Sequence, residues 1–334
     1  MSSEPTPTGL WLIQEYGRSL RVGHAGQELL RYVYQPWDVQ WESPKPYFHP
    51  LRTLGGDPVS LYRPHDHVWH KGISLSLPNI TGPDAILDPA VTDRGAVGDG
   101  HGQAGEANFW GGPTFVRPHG YQGLPNNGTQ RHRDFTTLDV DADQVRVVER
   151  LDWISQAGRR WFDERRSFTV RADRADPHWV LTFSTELTNV TDVELRFGSP
   201  TTQGRPEAGY GGLFWRGPRS FSGGRVLAPG VTGGDELMGL RAPWLGFVGL
   251  QDSDPRASTL VFADGNPGSP TPWFVRTGIY ACLCPAPFFD TEVPLAAGDT
   301  LTLRYAIVVA DGEHDPTAAA KLAEAGLAVL SQVG

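Results

Sequence analysis

Val145-Arg146-Val147-Val148-Glu149-Arg150-Leu151 and Val180-Leu181-Thr182-Phe183-Ser184-Thr185-Glu186-Leu187 place apolar side chains at alternate positions, as strands with one buried face do. They belong to a block, residues 129–189, that predicts a large antiparallel sheet. Upstream, Leu10-Trp11-Leu12-Ile13, Leu20-Arg21-Val22 and the run 29–34 predict that the chain opens on short antiparallel strands. These follow a polar tail, residues 1–8, expected to be disordered. Downstream, the runs 244–250, 259–263, 273–276 and 301–309 predict further strands. One helix is predicted, over 315–331: Asp315 can cap it, Pro316 suits its first turn, and Leu322 and Leu330 are expected to pack on the sheets. Trp153 and Trp161 are expected in the core. No repeat, linker or composition break divides 9–334, so the expectation is one all-β domain, a large antiparallel β-sandwich with long loops and a C-terminal helix.

Composition agrees with that class. The 334 residues include 40 Gly, 28 Pro and 11 Trp, which points to many turns and abundant aromatic surface. A net charge of −9, spread along the chain, argues against a nucleic-acid or anionic-membrane partner. No apolar run approaches the roughly 18 residues that cross a bilayer. Cys282 and Cys284 share one face of a predicted strand and are too few for a disulfide framework or a zinc site. The polar start, Met1 to Thr8, has neither a basic segment nor an apolar core, so a reduced, cytoplasmic protein is expected. Only Lys45, Lys71 and Lys321 are lysines among the basic residues.

Two blocks, 36–128 and 198–217, are rich in Gly and Pro, and read as long loops of the kind that carry function. The first holds Arg63-Pro64-His65-Asp66-His67-Val68-Trp69-His70-Lys71, with His49 and Arg52 nearby. Imidazole titrates near neutrality, so the cluster suits proton transfer, with Asp66 or Arg63 tuning it. In extended backbone His65 and His67 would project to one face, and His70 would need a turn to join them. A metal-dependent oxidoreductase or lyase with a divalent ion on His65, His67 and His70 is the alternative. Against it, the His-x-His pair lacks a Glu four residues on, where Lys71 would repel a cation. The structural alternative is a turn whose imidazoles bond the backbone.

The second block combines Arg205, Glu207, Tyr210, Trp215 and Arg216 with many glycines, as where backbone approaches a polar ligand closely. Glu207 is the candidate base partner of a histidine acid; a solvated Glu on a glycine-rich hairpin is its structural alternative. Asn108-Phe109-Trp110-Gly111-Gly112 sets a flat ring beside an amide. Sugars present apolar C–H faces rimmed by hydroxyls, so Trp69 and Trp110 are placed in the pocket. The chain lacks Gly-x-Ser-x-Gly, P-loop, His-Glu-x-x-His and dinucleotide-binding motifs, which disfavours those enzyme classes.

The segments 47–53 (Tyr-Phe-His-Pro-Leu-Arg-Thr), 63–70, 108–111, 209–213 (Gly-Tyr-Gly-Gly-Leu), 241–244 (Arg-Ala-Pro-Trp) and 284–290 (Cys-Pro-Ala-Pro-Phe-Phe-Asp) resemble a bacterial family of unknown function often labelled PmoA or methane oxygenase. The resemblance covers nearly the whole chain. It implies the galactose-mutarotase supersandwich, with 295–305 as its final strand, although the mutarotase motifs are not matched residue by residue. It also implies carbohydrate metabolism linked to a sugar oxidoreductase.

The combined expectation is an enzyme acting on a small-molecule carbohydrate without a resident cofactor. It would cleave a glycosidic bond by hydrolysis or elimination, or move a proton as in mutarotation or epimerisation. His67 or His70 would be the acid, Glu207 or Asp290 the base. His49, Arg52, Arg63, His65, Asp66, Trp69, Lys71, Asn108, Trp110, Arg205 and Tyr210 would bind substrate, with Arg52 and Arg205 as clamps. A non-catalytic carbohydrate-binding module is the remaining alternative.

Overall fold

The computed structural model describes residues 9–83, 105–173, 176–252, 255–268 and 270–332. The tail expected at 1–8 lies outside them. Alternation becomes a nine-stranded sheet whose order is Thr129–Val140, Gln144–Ile154, Arg160–Ala172, His178–Asn189, Thr300–Asp311, Ala257–Asp264, Trp244–Leu250, Arg225–Ala228 and Val231–Gly233. An eight-stranded sheet carries Leu10–Glu15, Ser19–His24, Gln27–Val33, Tyr47–Leu51, Ile73–Ser76, Gly212–Arg216, Cys282–Pro285 and Trp273–Arg276 in that order. All the pairings within both are antiparallel. The chain is thus all-β with a terminal helix. Residues 36–128, expected as loops, contribute strands to both the eight-stranded sheet and a smaller one that holds Asn79–Gly82 and Gly105–Ala107. Their strands are only three to five residues long, too short for a period to be read against Pro and Gly.

Inward side chains of both large sheets make one core, in which Val145, Val147, Trp153, Trp161, Phe168 and Leu181 meet Leu20, Leu30, Phe48 and Leu75. The helix Pro316–Ser331 starts where expected: the Asp315 carboxylate accepts from the Ala318 N–H at 2.8 Å. Leu322 and Leu330 close a second cluster with Val180, Val261 and Val308 on the outer face of the nine-stranded sheet.

The core face also carries charge. Glu149 and Arg166 are register partners, as are Arg166 and Thr185. The Arg166 guanidinium donates to both oxygens of Glu164 at 2.8 and 2.9 Å, to the Tyr32 hydroxyl at 3.1 Å and to the Gln130 side-chain oxygen at 2.9 Å. Glu164 also accepts from Trp153 Nε1 at 2.7 Å and the Thr185 hydroxyl at 2.8 Å. Tyr32, from the opposite sheet, and His132 hold Glu149. Buried charges survive only when paired and fully hydrogen-bonded, and the Tyr32 hydroxyl, bonded to both Glu149 and Arg166, ties this charged network to the opposite sheet.

Candidate active site

The loop 63–71 is a series of turns rather than extended chain. The His67 N–H donates to Pro64 O at 3.1 Å, His70 N–H to His67 O at 2.9 Å, and Arg63 N–H to His70 O at 2.9 Å. Turning brings His67 and His70 together instead of His65 and His67. Their rings stack at 4.7 Å between centroids with 11° between planes, and Tyr280 meets both edge-on at 5.2 and 5.6 Å. His65 points away, its Nδ1 taking a hydrogen bond from Arg219 at 2.9 Å. The imidazoles therefore do not bond the backbone, and the three do not converge on a point. Among the described residues, no group of three His, Cys, Asp or Glu side chains is placed to hold a metal ion. The three-histidine metal centre is corrected accordingly.

Beneath the stacked pair lies Arg216, 1% exposed, reaching in from the strand Gly212–Arg216. Its Nη1 donates to His70 Nδ1 at 3.1 Å and its Nη2 approaches Asp66 Oδ2 at 3.3 Å, with the guanidinium carbon 4.1 Å from the Tyr280 ring centre. An arginine can only donate, so His70 Nδ1 accepts and the proton of the neutral ring sits on Nε2. Burial, together with the charges of His67, Arg216 and Lys45, holds His70 well below the ordinary imidazole value against the pull of Asp66. His70 is thus a neutral hydrogen-bond donor at physiological pH. That corrects its expected role as a general acid.

Asp66 takes the opposite role. Burial opposes its ionisation, but hydrogen bonds from His67 and Arg219 and the charge of Arg216 hold its carboxyl well below the usual range. It accepts from His67 Nδ1 at 2.8 Å and from Arg219 at 2.8 Å. An anion on Nδ1 orients the ring and leaves Nε2 to exchange a proton.

The stacked pair forms one wall of a cleft of about 300 Å³, whose other lining includes Trp69, Trp110, Tyr121, Arg205, Tyr210, Phe274, Arg276 and Tyr280. Gly112 has φ +70°, and a Cβ there would fall 2.7 Å from the Trp69 ring, so only glycine lets the chain pass over that indole. Trp110 and Tyr210 pack at 4.5 Å. The Tyr210 and Tyr121 hydroxyls share a hydrogen bond at 3.0 Å, and Arg205 donates to Tyr121 while lying 4.8 Å from its ring centre.

The expected residues divide. His67, Trp69, His70, Trp110, Arg205 and Tyr210 meet in this cleft. Asn108 stands behind it: its Oδ1 accepts from the backbone N–H groups of Trp110 and Gly111 at 2.9 Å each, so it shapes the loop and does not face a ligand. Lys71 is fully buried, paired with Asp38 at 2.9 Å and with Glu42, which also binds Arg63. Substrate contact by Lys71 is corrected to a structural ion pair. His49 and Arg63 line a separate cleft with Asp38, Glu42 and Tyr62. Burial lowers His49 to about 4, and its Nδ1 pairs with the Ser60 hydroxyl at 2.8 Å. Arg52 donates to Gly56 O at 3.1 Å and lines neither cleft. The two expected bases are also elsewhere. Glu207 is exposed and absent from the cleft lining, and the exposed Asp290 pairs with Arg241 at 3.2 Å. The carboxylate serving a histidine is Asp66, the neighbour of His67 in sequence.

Sequence reasoning missed Tyr121, Phe274, Arg276, Tyr280 and the roles of Arg216 and Arg219. Arg216 stood in a block already singled out for its arginines; Tyr280 carried no local signal. Lys45 was also missed. It is fully buried and donates to the carbonyls of Glu42, Ser43 and Trp110 at 3.0, 3.0 and 2.8 Å, joining the ion-pair cluster to the cleft wall. Burial and the Lys71 charge lower it to about 7.

The His70 shift has a measurable sign. The unfolded chain protonates this imidazole below about pH 6.5, whereas the folded protein keeps it neutral. Each proton bound only by the unfolded state lowers stability by at most about 1.4 kcal/mol per pH unit as the pH falls. His70→Gln removes this contribution. Urea unfolding at pH 7.5 and 5 is therefore expected to show the wild type losing ground to His70→Gln on acidification; a pH-independent difference would count against a neutral buried His70.

The family model described as a family of unknown function, DUF6807, matches residues 19–324. No curated protein matches the chain. Solved structures similar to it include the Slr1438 protein from Synechocystis sp. PCC 6803, 12% identical over 94% of this chain and 99% of that one, with a TM-score of 0.37. Galactose 1-epimerase from Lactobacillus acidophilus NCFM is 9% identical over 92% and 100%, with a TM-score of 0.41. The α-galactosidase from Lactobacillus brevis is 10% identical over 91% of this chain but only 39% of its own, with a TM-score of 0.37. At such distances the structural likenesses bear on neither substrate nor mechanism, and neither they nor the family description supports a methane-oxygenase label. Across residues 19–324, which hold the whole nine-stranded sheet, all but the first strand of the eight-stranded one and the His67–His70 cleft, this chain belongs to the DUF6807 family of unknown function.

Proposed function

We propose that this protein is a carbohydrate-active enzyme that moves a proton on a sugar held in the Trp69–Trp110 cleft. The observation that carries this reading is the Asp66–His67 pair at 2.8 Å, with His67 opening onto an aromatic cleft. His67 Nε2 takes or returns the proton. The neutral His70, stacked on it, offers Nε2–H to an oxygen of the same substrate and stabilises charge that develops there. Trp69, Trp110 and Tyr210 supply flat faces for the C–H surface of a sugar ring.

Among the described residues no carboxylate lines the cleft, whereas glycoside hydrolysis by a carboxylate pair needs two that flank the bond. Anomer interconversion, epimerisation and elimination need only an acid–base group and a donor, and they fit better. No membrane role enters this reading: among the described residues no helix is long and apolar enough to cross a bilayer. A binding module would use the same aromatic faces but has no need of an Asp-oriented imidazole.

The test is proton NMR in D₂O on a panel of aldoses, uronates and keto-sugars, following anomer exchange and loss of C–H signals. Wild type is expected to accelerate one of these and His67→Ala to lose the acceleration. Equal rates in the two proteins would remove His67 from the chemistry. A sugar that binds the wild type without any turnover would favour a module.

A further inference from the structure

We infer that the sugar accepted by this cleft carries a negative charge, recognised by Arg205 and Arg276. This rests on the proposed sugar site and adds the class of ligand. The chain has 38 acidic residues against 29 Lys and Arg, yet among the described residues none of the acids lines the cleft while two arginines do. In a protein of net charge −9, that local reversal of sign is not a by-product of composition. A concave, low-dielectric cleft lined by one sign of charge concentrates ligands of the other.

The two guanidiniums are held for use. Arg205 has no carboxylate partner among the described residues; the Tyr121 hydroxyl and ring hold it in place, and they leave the rest of its donor fork free. Arg276 donates to the backbone oxygen of Glu207 at 3.1 Å and lies 3.8 Å from Asp235, with its guanidinium carbon 5.4 Å from the Phe274 ring centre. Both therefore pay little ordering entropy on meeting an anion. A planar fork favours a carboxylate or phosphate over a hydroxyl. A cleft of about 300 Å³ is at the small end of small-molecule sites and suits one ring rather than a chain.

The shared chemistry is a monosaccharide bearing a carboxylate or a phosphate, and the probes separate the two. Calorimetric titrations use D-glucuronate, D-galacturonate, glucose 6-phosphate, glucose and galactose at low and high salt. One acidic sugar is expected to bind at least about tenfold tighter than its neutral counterpart, since a hydrogen bond to a charged group contributes more than a neutral one. The preference should weaken with salt and fall about tenfold or more in Arg205→Gln or Arg276→Gln, with circular dichroism confirming the fold of each. Preference for the uronates identifies a carboxylate, and preference for glucose 6-phosphate identifies a phosphate. Equal binding of neutral and acidic sugars, an acid preference untouched in both variants, or no binding of any probe would overturn the inference. Acidic-sugar binding without turnover would sink the proton-transfer reading alone; His67-dependent turnover of a neutral sugar would sink only this one.

Discussion

Glu164→Ala is expected to lower the unfolding free energy by about 3–5 kcal/mol, the range found when one member of a buried ion pair is removed. Glu164 is 2% exposed and accepts four hydrogen bonds, two from Arg166 and one each from Trp153 and Thr185. Its loss strands a guanidinium that is 1% exposed, with only the Tyr32 hydroxyl and the Gln130 amide oxygen left as acceptors. Because Tyr32 belongs to the opposite sheet, the damage reaches across the sandwich. Glu164→Gln keeps the shape and one acceptor and should cost less. Urea unfolding at pH 7 measures both, and a loss below about 1 kcal/mol in Glu164→Ala would mean that the network contributes little.

Asp66→Asn is expected to lower kcat on the turned-over sugar by about 10²–10⁴-fold, the range a positioned acid–base group contributes. The amide removes the negative charge that three groups share: His67 at 2.8 Å, Arg219 at 2.8 Å and Arg216 at 3.3 Å. It can also turn its NH₂ toward His67 Nδ1, which selects the tautomer with Nε2 already protonated and unable to accept. Steady-state kinetics should show the fall in kcat with a smaller change in KM, together with an altered pH profile. A change of less than a few-fold with the profile unaltered would show that Asp66 serves only the loop.

Much of the frame was readable along the chain. Alternation at Val145, Val147 and Leu151 and at Leu181, Phe183 and Leu187 follows from a pleated strand with one face in the core, and all six are buried. Asp315 and Pro316 mark a helix start because a cap and a donor-less ring act on their immediate neighbours. The same local logic could not foresee Glu149, Glu164 and Arg166 on the core face, since their stability inside depends on partners from other strands.

For the site, sequence by itself determined the residue types and one essential adjacency. His67, His70, Trp69 and Trp110 lie in loops rich in turn formers, and Asp66 sits beside the histidine it orients. The tertiary structure alone decided which of them share a wall. Turns set His70 rather than His65 against His67, and Arg216, 146 positions further along the chain than His70, fixes the tautomer of that ring. Lys71 went inward because Asp38 and Glu42 meet it there, and Glu207 and Asp290 stayed outside because nothing in the fold turns them to the cleft. The physical reason is range: strand periods, caps and adjacent hydrogen bonds act over a few residues, whereas the charge balance of a cleft is a sum over segments that only folding brings together.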